Sequence, residues 1–262
     1  LISALNEKGF FNDKVPHKLV ICGDLFDRGN EALELQNFII ELMDKDEVIL
    51  IRGNHEDLFI NLLNGWNKGS YYEKHHNSNG TVDTVLQLTK SSKIDIYNDT
   101  QEVLRKINES PFVQKIIPSM LDYYETDNYI FVHGWIPCET IRQNQYAVSY
   151  FTIEDWRNAS KEQWGYSRWI NGMDAANDGV IEKGKTIVCG HWHSSYGHSR
   201  YEGKCSEFGE DADFSPYYGK GIITLDTCTV HSKKINCLII EDRLFKKTIK
   251  IVIFTRFQMC KF

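Results

Sequence analysis

Four short segments concentrate Asp, Asn and His beside glycine: Gly23-Asp24-Leu25-Phe26-Asp27-Arg28-Gly29, Gly53-Asn54-His55-Glu56, His133-Gly134 and Gly190-His191-Trp192-His193. Carboxylate, amide and imidazole groups supply oxygen and nitrogen ligands for divalent ions such as Mn, Fe and Zn. The glycines allow the backbone to turn sharply and approach a ligand closely. Each segment directly follows an apolar run: Lys18 to Cys22, Val48 to Ile51, Tyr129 to Val132, or Thr186 to Cys189. Runs of that length and β-branched content predict buried strands. Loops leaving the carboxyl ends of strands in α/β sheets are where ligands gather. Four such loops, all rich in metal-binding side chains, predict one metal centre.

The elements that must carry these loops follow from periodicity. Residues 1–9 form a helix, with Leu1, Ile2 and Leu5 at helical spacing. Glu31 to Lys45 carries a helical stripe of Leu35, Phe38, Ile39 and Leu42, and Asp57 to Leu63 starts another helix. The first third therefore reads strand–loop–helix twice over, an α/β pattern with parallel strands. Residues 64–118 are polar, with helices at Val82 to Leu88 and Thr100 to Ile107, and predict an inserted helical cap. Residues 137–180 read as irregular. Strand-like runs then return at Ile222 to Leu225, Ile235 to Ile240 and Ile249 to Phe254. The tail after Asp242 holds six basic and no acidic residues. It predicts an edge strand, with Ile249, Ile251 and Ile253 inward and charges guarding the edge.

Composition narrows the class. A chain of 262 residues suits a single large domain, 1–262, with the cap inserted. The 30 basic and 36 acidic residues give a net charge of −6. That argues against nucleic-acid binding through bulk charge. No apolar run is long enough to span a membrane, and the sequence opens on no signal-peptide pattern. Seven scattered cysteines without a Cys-x-x-Cys pair make neither a disulfide framework nor a zinc ribbon. A reducing cytoplasm is the simplest location.

Other residue patterns have plainer readings. Cys22 to Arg28 has the Cys-x5-Arg spacing of a thiolate phosphatase, but Asp24 and Asp27 in that loop repel phosphate unless metals intervene. Cys22 and Cys189 lie in apolar strands and read as core. His75 and His76 are adjacent, so their side chains diverge, and they read as cap surface rather than a metal pair. Trp66, Tyr71 and Tyr72 either pack the cap or line a substrate mouth.

The first two segments are complete Gly-Asp-x-x-Asp-Arg-Gly and Gly-Asn-His-Glu motifs. With Ser215-Pro216-Tyr217-Tyr218 and Leu225-Asp226-Thr227-Cys228, they resemble the metallophosphoesterase (calcineurin-like phosphoesterase) superfamily. Within it they look most like the phosphoprotein phosphatase branch and its bacterial serine/threonine protein phosphatases. The resemblance runs over most of the chain and implies an α/β fold: a two-sheet β-sandwich with flanking helices plus the cap. It implies hydrolysis of a phosphoester by direct attack of a water bridging two divalent ions, drawn from Mn, Fe, Zn and Ni, about 3.5–4 Å apart. Asp24 is then the bridging carboxylate, and Asn54, His133 and His191 complete the second metal's shell. His193 stands between two readings, a ligand as in the wider superfamily or a non-ligand as in the phosphatase branch. His55 becomes the general acid, held by Asp27, and Arg28 grips phosphate. Arg168 either binds phosphate as well or is a solvated surface residue. The implied substrate is a phosphorylated protein. The alternatives are a nucleotide substrate, as for diadenosine tetraphosphatases, and a catalytically impaired binding module. No nucleic acid or membrane enters as a partner.

The same resemblance implies an opening strand that ends in Asp-x-His and holds the first metal. No Asp-x-His occurs in the chain, which begins at Leu1. The expectation is an absent N-terminal piece, or a protein that evolved without it. The first metal site is then incomplete, and at most one metal binds strongly. A central strand position is left with unpaired backbone groups, and the chain is unstable and slow.

Overall fold

Leu19 to Cys22 places apolar side chains on both faces of one strand, so that strand has to lie between two packed layers. It does so as β1 (His17–Cys22) in a computed structural model that describes residues 1–12, 14, 16–70, 74–144, 148–244 and 247–254. Leu19 and Ile21 face a core shared with helices, while Val20 and Cys22 face a second sheet.

The helix α1 (Ile2–Glu7) precedes β1, and α2 (Ala32–Asp44) leads from it to β2 (Val48–Ile51). Helix α3 (Asn54–Asn67) follows at once. The segment expected to form a cap, called the cap below, holds α4 (Lys74–Ser78), α5 (Thr81–Thr89), α6 (Lys93–Asn98) and α7 (Thr100–Asn108), and α8 (Ile117–Ser119) follows. Strands β3 (Tyr124–Glu125), β4 (Tyr129–Phe131), β5 (Cys138–Arg142) and β6 (Val148–Thr152) come next. Helices α9 (Lys161–Ser167) and α10 (Gly172–Asn177) precede β7 (Thr186–Cys189), β8 (Tyr217–Gly219) and β9 (Ile222–Thr224). The hairpin of β10 (Cys237–Leu244) and β11 (Lys247–Phe254) completes the sheets.

One sheet has the order β10-β11-β1-β2 and the other β3-β4-β7-β9-β8. Alternation along each strand sorts the side chains into layers. Val20, Cys22, Ile51, Ile251 and Ile253 of the first sheet meet Phe131, Val188 and Ile223 of the second. Leu19, Ile21, Leu50 and Val252 point the other way, onto α2, α3 and the cap. Ile130, Ile187, Cys189 and Ile222 pack on α9 and α10. The result is helices, sheet, sheet, helices: the expected sandwich. The cap shares the first helical core, since Val82, Val85, Val103 and Ile107 are all buried in it.

Four expectations need correction. The edge of β1 opposite β2 is not open, because β11 pairs with it in parallel from His17↔Lys250 to Ile21↔Phe254. A bare apolar edge is costly, and the hairpin satisfies its backbone groups. For the same reason β11 is an interior strand, and β10 is the edge. Residues 137–180 are not irregular: β5 and β6 form an antiparallel hairpin there. Finally, α3 begins at Asn54 rather than Asp57, which brings the Asn-His pair into its first turn.

Trp66 is buried in the helical core, whereas Tyr71 and Tyr72 lie outside the described residues. Cys22, Cys138, Cys189, Cys205 and Cys237 carry free thiols, and Cys228 is disulfide-bonded, a link the scattered cysteine spacing did not predict. No helix among the described residues is long and apolar enough to cross a membrane.

Candidate metal centre

The parallel strands β1 and β2 end side by side in one sheet, and β4 and β7 do so in the other. All four carboxyl ends open toward one place. Asp24 follows β1, Asn54 opens α3 after β2, His133 follows β4 and His191 follows β7. Gly23 turns with φ +83°, and a Cβ there would run into the His133 ring. Asp24 (φ +54°), Arg28 (φ +64°) and His191 (φ +64°) occupy the left-handed region without being glycine. Such backbone costs energy and gathers at functional sites.

Asp24, His133 and His191 bring one ligand atom each within 4.8 Å of one another, and all three are buried. Asn54 Oδ1 lies 2.8 Å from His133 Nε2 and 3.1 Å from His191 Nδ1. Asp24 Oδ1 lies 3.3 Å from His133 Nε2. The tautomer of His133 is fixed by its other nitrogen. Nδ1 is 2.7 Å from the Cys22 carbonyl oxygen, which can only accept, so Nδ1 carries the proton. Burial, then the neighbouring His191, hold the His133 pKa well below the usual imidazole value, so the ring is neutral. Its bare Nε2 lone pair therefore faces two oxygen lone pairs. Asp24 Oδ2 is also buried without a hydrogen-bond partner. Burial and the nearby Glu56 push the Asp24 carboxyl well above its ordinary range. A buried carboxylate oxygen without a partner, set beside two imidazoles and an amide oxygen, is what a cation satisfies, and the N/O donor set fits a divalent metal.

Glu56 locks the two loops together. Its carboxylate accepts the backbone N–H groups of Asp24 (3.1 Å), Leu25 (2.8 Å) and Gly53 (2.7 Å). Beside the cluster, His55 Nδ1 is 2.6 Å from Asp27 Oδ2, with both side chains buried. The His55 backbone N–H donates to Asp24 Oδ1 at 3.1 Å, tying the pair to the ligand set. Arg28 donates to Asn79 Oδ1. Burial draws its guanidinium pKa down, against the opposing pull of Asp27 and Asp24.

Arg168 is not a solvated surface residue. It is buried, donating to Asp57 Oδ2 at 2.7 Å and pairing with Asp122. Asp57 also accepts Arg52 Nε at 2.8 Å, so one carboxylate holds two arginines. His193 is not among the clustered ligand atoms. It is buried, and its Nε2 lies 2.7 Å from Glu207 Oε1. Cys22 and Cys189 are buried in their strands, and burial pushes the Cys189 thiol up to about 12, which leaves no thiolate for nucleophilic chemistry.

Sequence reasoning gave no role to Asp57, Thr84 or Glu207 and reads Thr81 only as part of an Asn79-Gly80-Thr81 turn, yet each touches a residue it had named. Only Glu56 carried a local signal: an acidic residue at the third helical position marks a helix start. A comparison with curated proteins found no match. Residues 2–212 match the family model described as calcineurin-like phosphoesterase, and the chain belongs to that family.

Proposed function

We propose that this calcineurin-like phosphoesterase hydrolyses phosphate monoesters of alcohols, with phosphorylated serine or threonine in a protein as the substrate class. The observation that carries the reading is the buried His55–Asp27 pair standing beside the metal-ligand cluster. Oxygen leaving groups differ in their need for a proton. An alkoxide from serine or threonine is a poor leaving group without one, whereas a nucleotide polyphosphate leaves readily as an anion. A histidine held by a carboxylate is suited to donate that proton.

Asp24, Asn54, His133 and His191 would hold a divalent ion, which when bound would supply charge for the phosphate oxygens and acidify water. The chain's own residues do the rest. Asp27 accepts from His55 Nδ1, which leaves Nε2 as the nitrogen that delivers a proton to the departing oxygen. Arg28 and Arg168 add positive charge beside the cluster, and Asp57 fixes Arg168 in place.

The test pairs a phosphopeptide with diadenosine tetraphosphate, each assayed with Mn, Fe, Zn and Ni. Phosphopeptide turnover should dominate. His55→Ala should keep its metal yet lose roughly 10²–10⁴-fold in kcat on the phosphopeptide, the scale of general-acid catalysis. Its loss on p-nitrophenyl phosphate, whose leaving group hardly needs a proton, should be much smaller. Preferred cleavage of the dinucleotide would replace this reading with the nucleotide hydrolase. Absence of turnover with phosphate still bound would replace it with a binding module.

A further inference from the structure

The Asp27 carboxylate accepts more than His55. Thr81 Oγ1 donates to Asp27 Oδ2 at 2.8 Å, and Thr84 Oγ1 donates to Asp27 Oδ1 at 2.7 Å. Both threonines lie in the first turn of α5, a cap helix far along the chain from Asp27. Their spacing of three residues puts them on one helical face. Both are buried, as are Asp27 and His55, so water cannot stand in for either hydroxyl. A carboxylate gripped at both oxygens can neither rotate nor withdraw.

The turn leading into α5 serves the neighbouring residue. Asn79 Oδ1 accepts from the Arg28 guanidinium. Gly80, at φ +82°, lies so near that a Cβ there would meet the Arg28 backbone nitrogen at 2.6 Å. Asn79 to Thr84 therefore touches both Asp27 and Arg28.

We propose that Thr81 and Thr84 are positioning residues that fix Asp27 and, through it, the ring of His55, while Asn79 sets the reach of Arg28. The cap is thereby part of the acid's scaffold rather than only a wall of the substrate site. The inference rests on the proton-donor reading of His55, and its test separates the two.

The experiment uses the metal-loaded chain with Thr81→Val and Thr84→Val, singly and together, and Thr→Ser at each position. Valine keeps the shape and removes the donor. Each valine variant should lose roughly 10–100-fold in kcat on a phosphopeptide, the scale of a misplaced catalytic group. KM and metal content should change little, the melting temperature should fall while the chain stays folded at assay temperature, and p-nitrophenyl phosphate turnover should fall by far less. Serine should restore the rate. Asn79→Ala should raise KM for both substrates instead. A readout independent of turnover is the downfield proton resonance of the His55–Asp27 hydrogen bond, identified by its loss in His55→Gln. It should broaden or shift in the valine variants and return with serine. An unchanged resonance in folded valine variants would overturn the proposal. A changed resonance in a chain that shows no selective loss on the phosphopeptide would uphold the positioning role and reject the proton-donor reading.

Discussion

His133 presents a bare nitrogen lone pair to the oxygens of Asn54 and Asp24, because the Cys22 carbonyl has already claimed its proton. A cation placed among them would satisfy all of these lone pairs at once. Replacing Asp24 by Asn removes the one formal charge in the ligand set while keeping its shape. Asp24→Asn is expected to lose metal on dialysis and to abolish hydrolysis. Metal analysis of the purified variant checks this, and a full complement of metal with normal turnover would refute the assignment. The residues of this centre were legible in the sequence because each is written beside a glycine at a strand end. Asp57, Thr81, Thr84 and Glu207 were not, because what makes them matter is a partner chosen by the fold. Arg168 shows the same limit: the chain alone could not tell a surface arginine from one clasped by Asp57 and Asp122.

At the scale of elements, the first turn of α3 works as a clamp. Glu56 reaches back to three backbone N–H groups on two different loops. Glu56→Ala would strand buried donors, each costing about 1–3 kcal/mol. The expected outcome is a chain that fails to fold or melts far lower, as read by thermal denaturation, with Glu56→Gln intermediate. Strand β3 gives a pH-dependent counterpart. Glu125 accepts Arg157 at 2.6 Å and Lys185 at 2.8 Å, and these partners hold its carboxyl down at about 2. Its folded pKa is depressed, so its contribution is present above the ordinary value of 4.5 and is lost as pH falls toward 2. Glu125→Gln should lower the denaturation midpoint at neutral pH and flatten its fall through that window. Urea titrations at several pH values check it. Strands with apolar residues on both faces were easy to read. The hairpin of β5 and β6 was missed because its side chains are mostly half-buried or exposed, which leaves no strong alternation in the sequence. The neighbours of β11 could not be read either, since alternation reports a strand's faces and not its place in a sheet.

Across the whole molecule, the ligand cluster joins the two sheets: Asp24 and Asn54 come from one, His133 and His191 from the other. A bound ion should therefore stabilise the folded chain as well as serve chemistry. At a free metal concentration of 100 Kd the gain is about 2.7 kcal/mol. Chelation should lower the melting temperature, and readdition of metal should restore it. A melting temperature indifferent to metal would show that the centre does not bind it. His133→Ala, which removes one of the two ligands that the second sheet supplies, should weaken this dependence.

The pairing of residue 17 with residue 250 also carries a cost in time. During synthesis, β1 emerges with its partner on one side still unmade for roughly 10–50 s, at ordinary rates of translation. Throughout that interval an apolar strand edge is open to chaperones, to neighbouring nascent chains, or to a wrong strand. Closing so long a loop late also places this protein among slow folders, as expected when distant segments must find each other before their contacts reward the search. The strand that completes the sheet is thus the step at which folding is most exposed to aggregation, and ribosome-bound chains halted before residue 247 should be the protease-sensitive, chaperone-retained species.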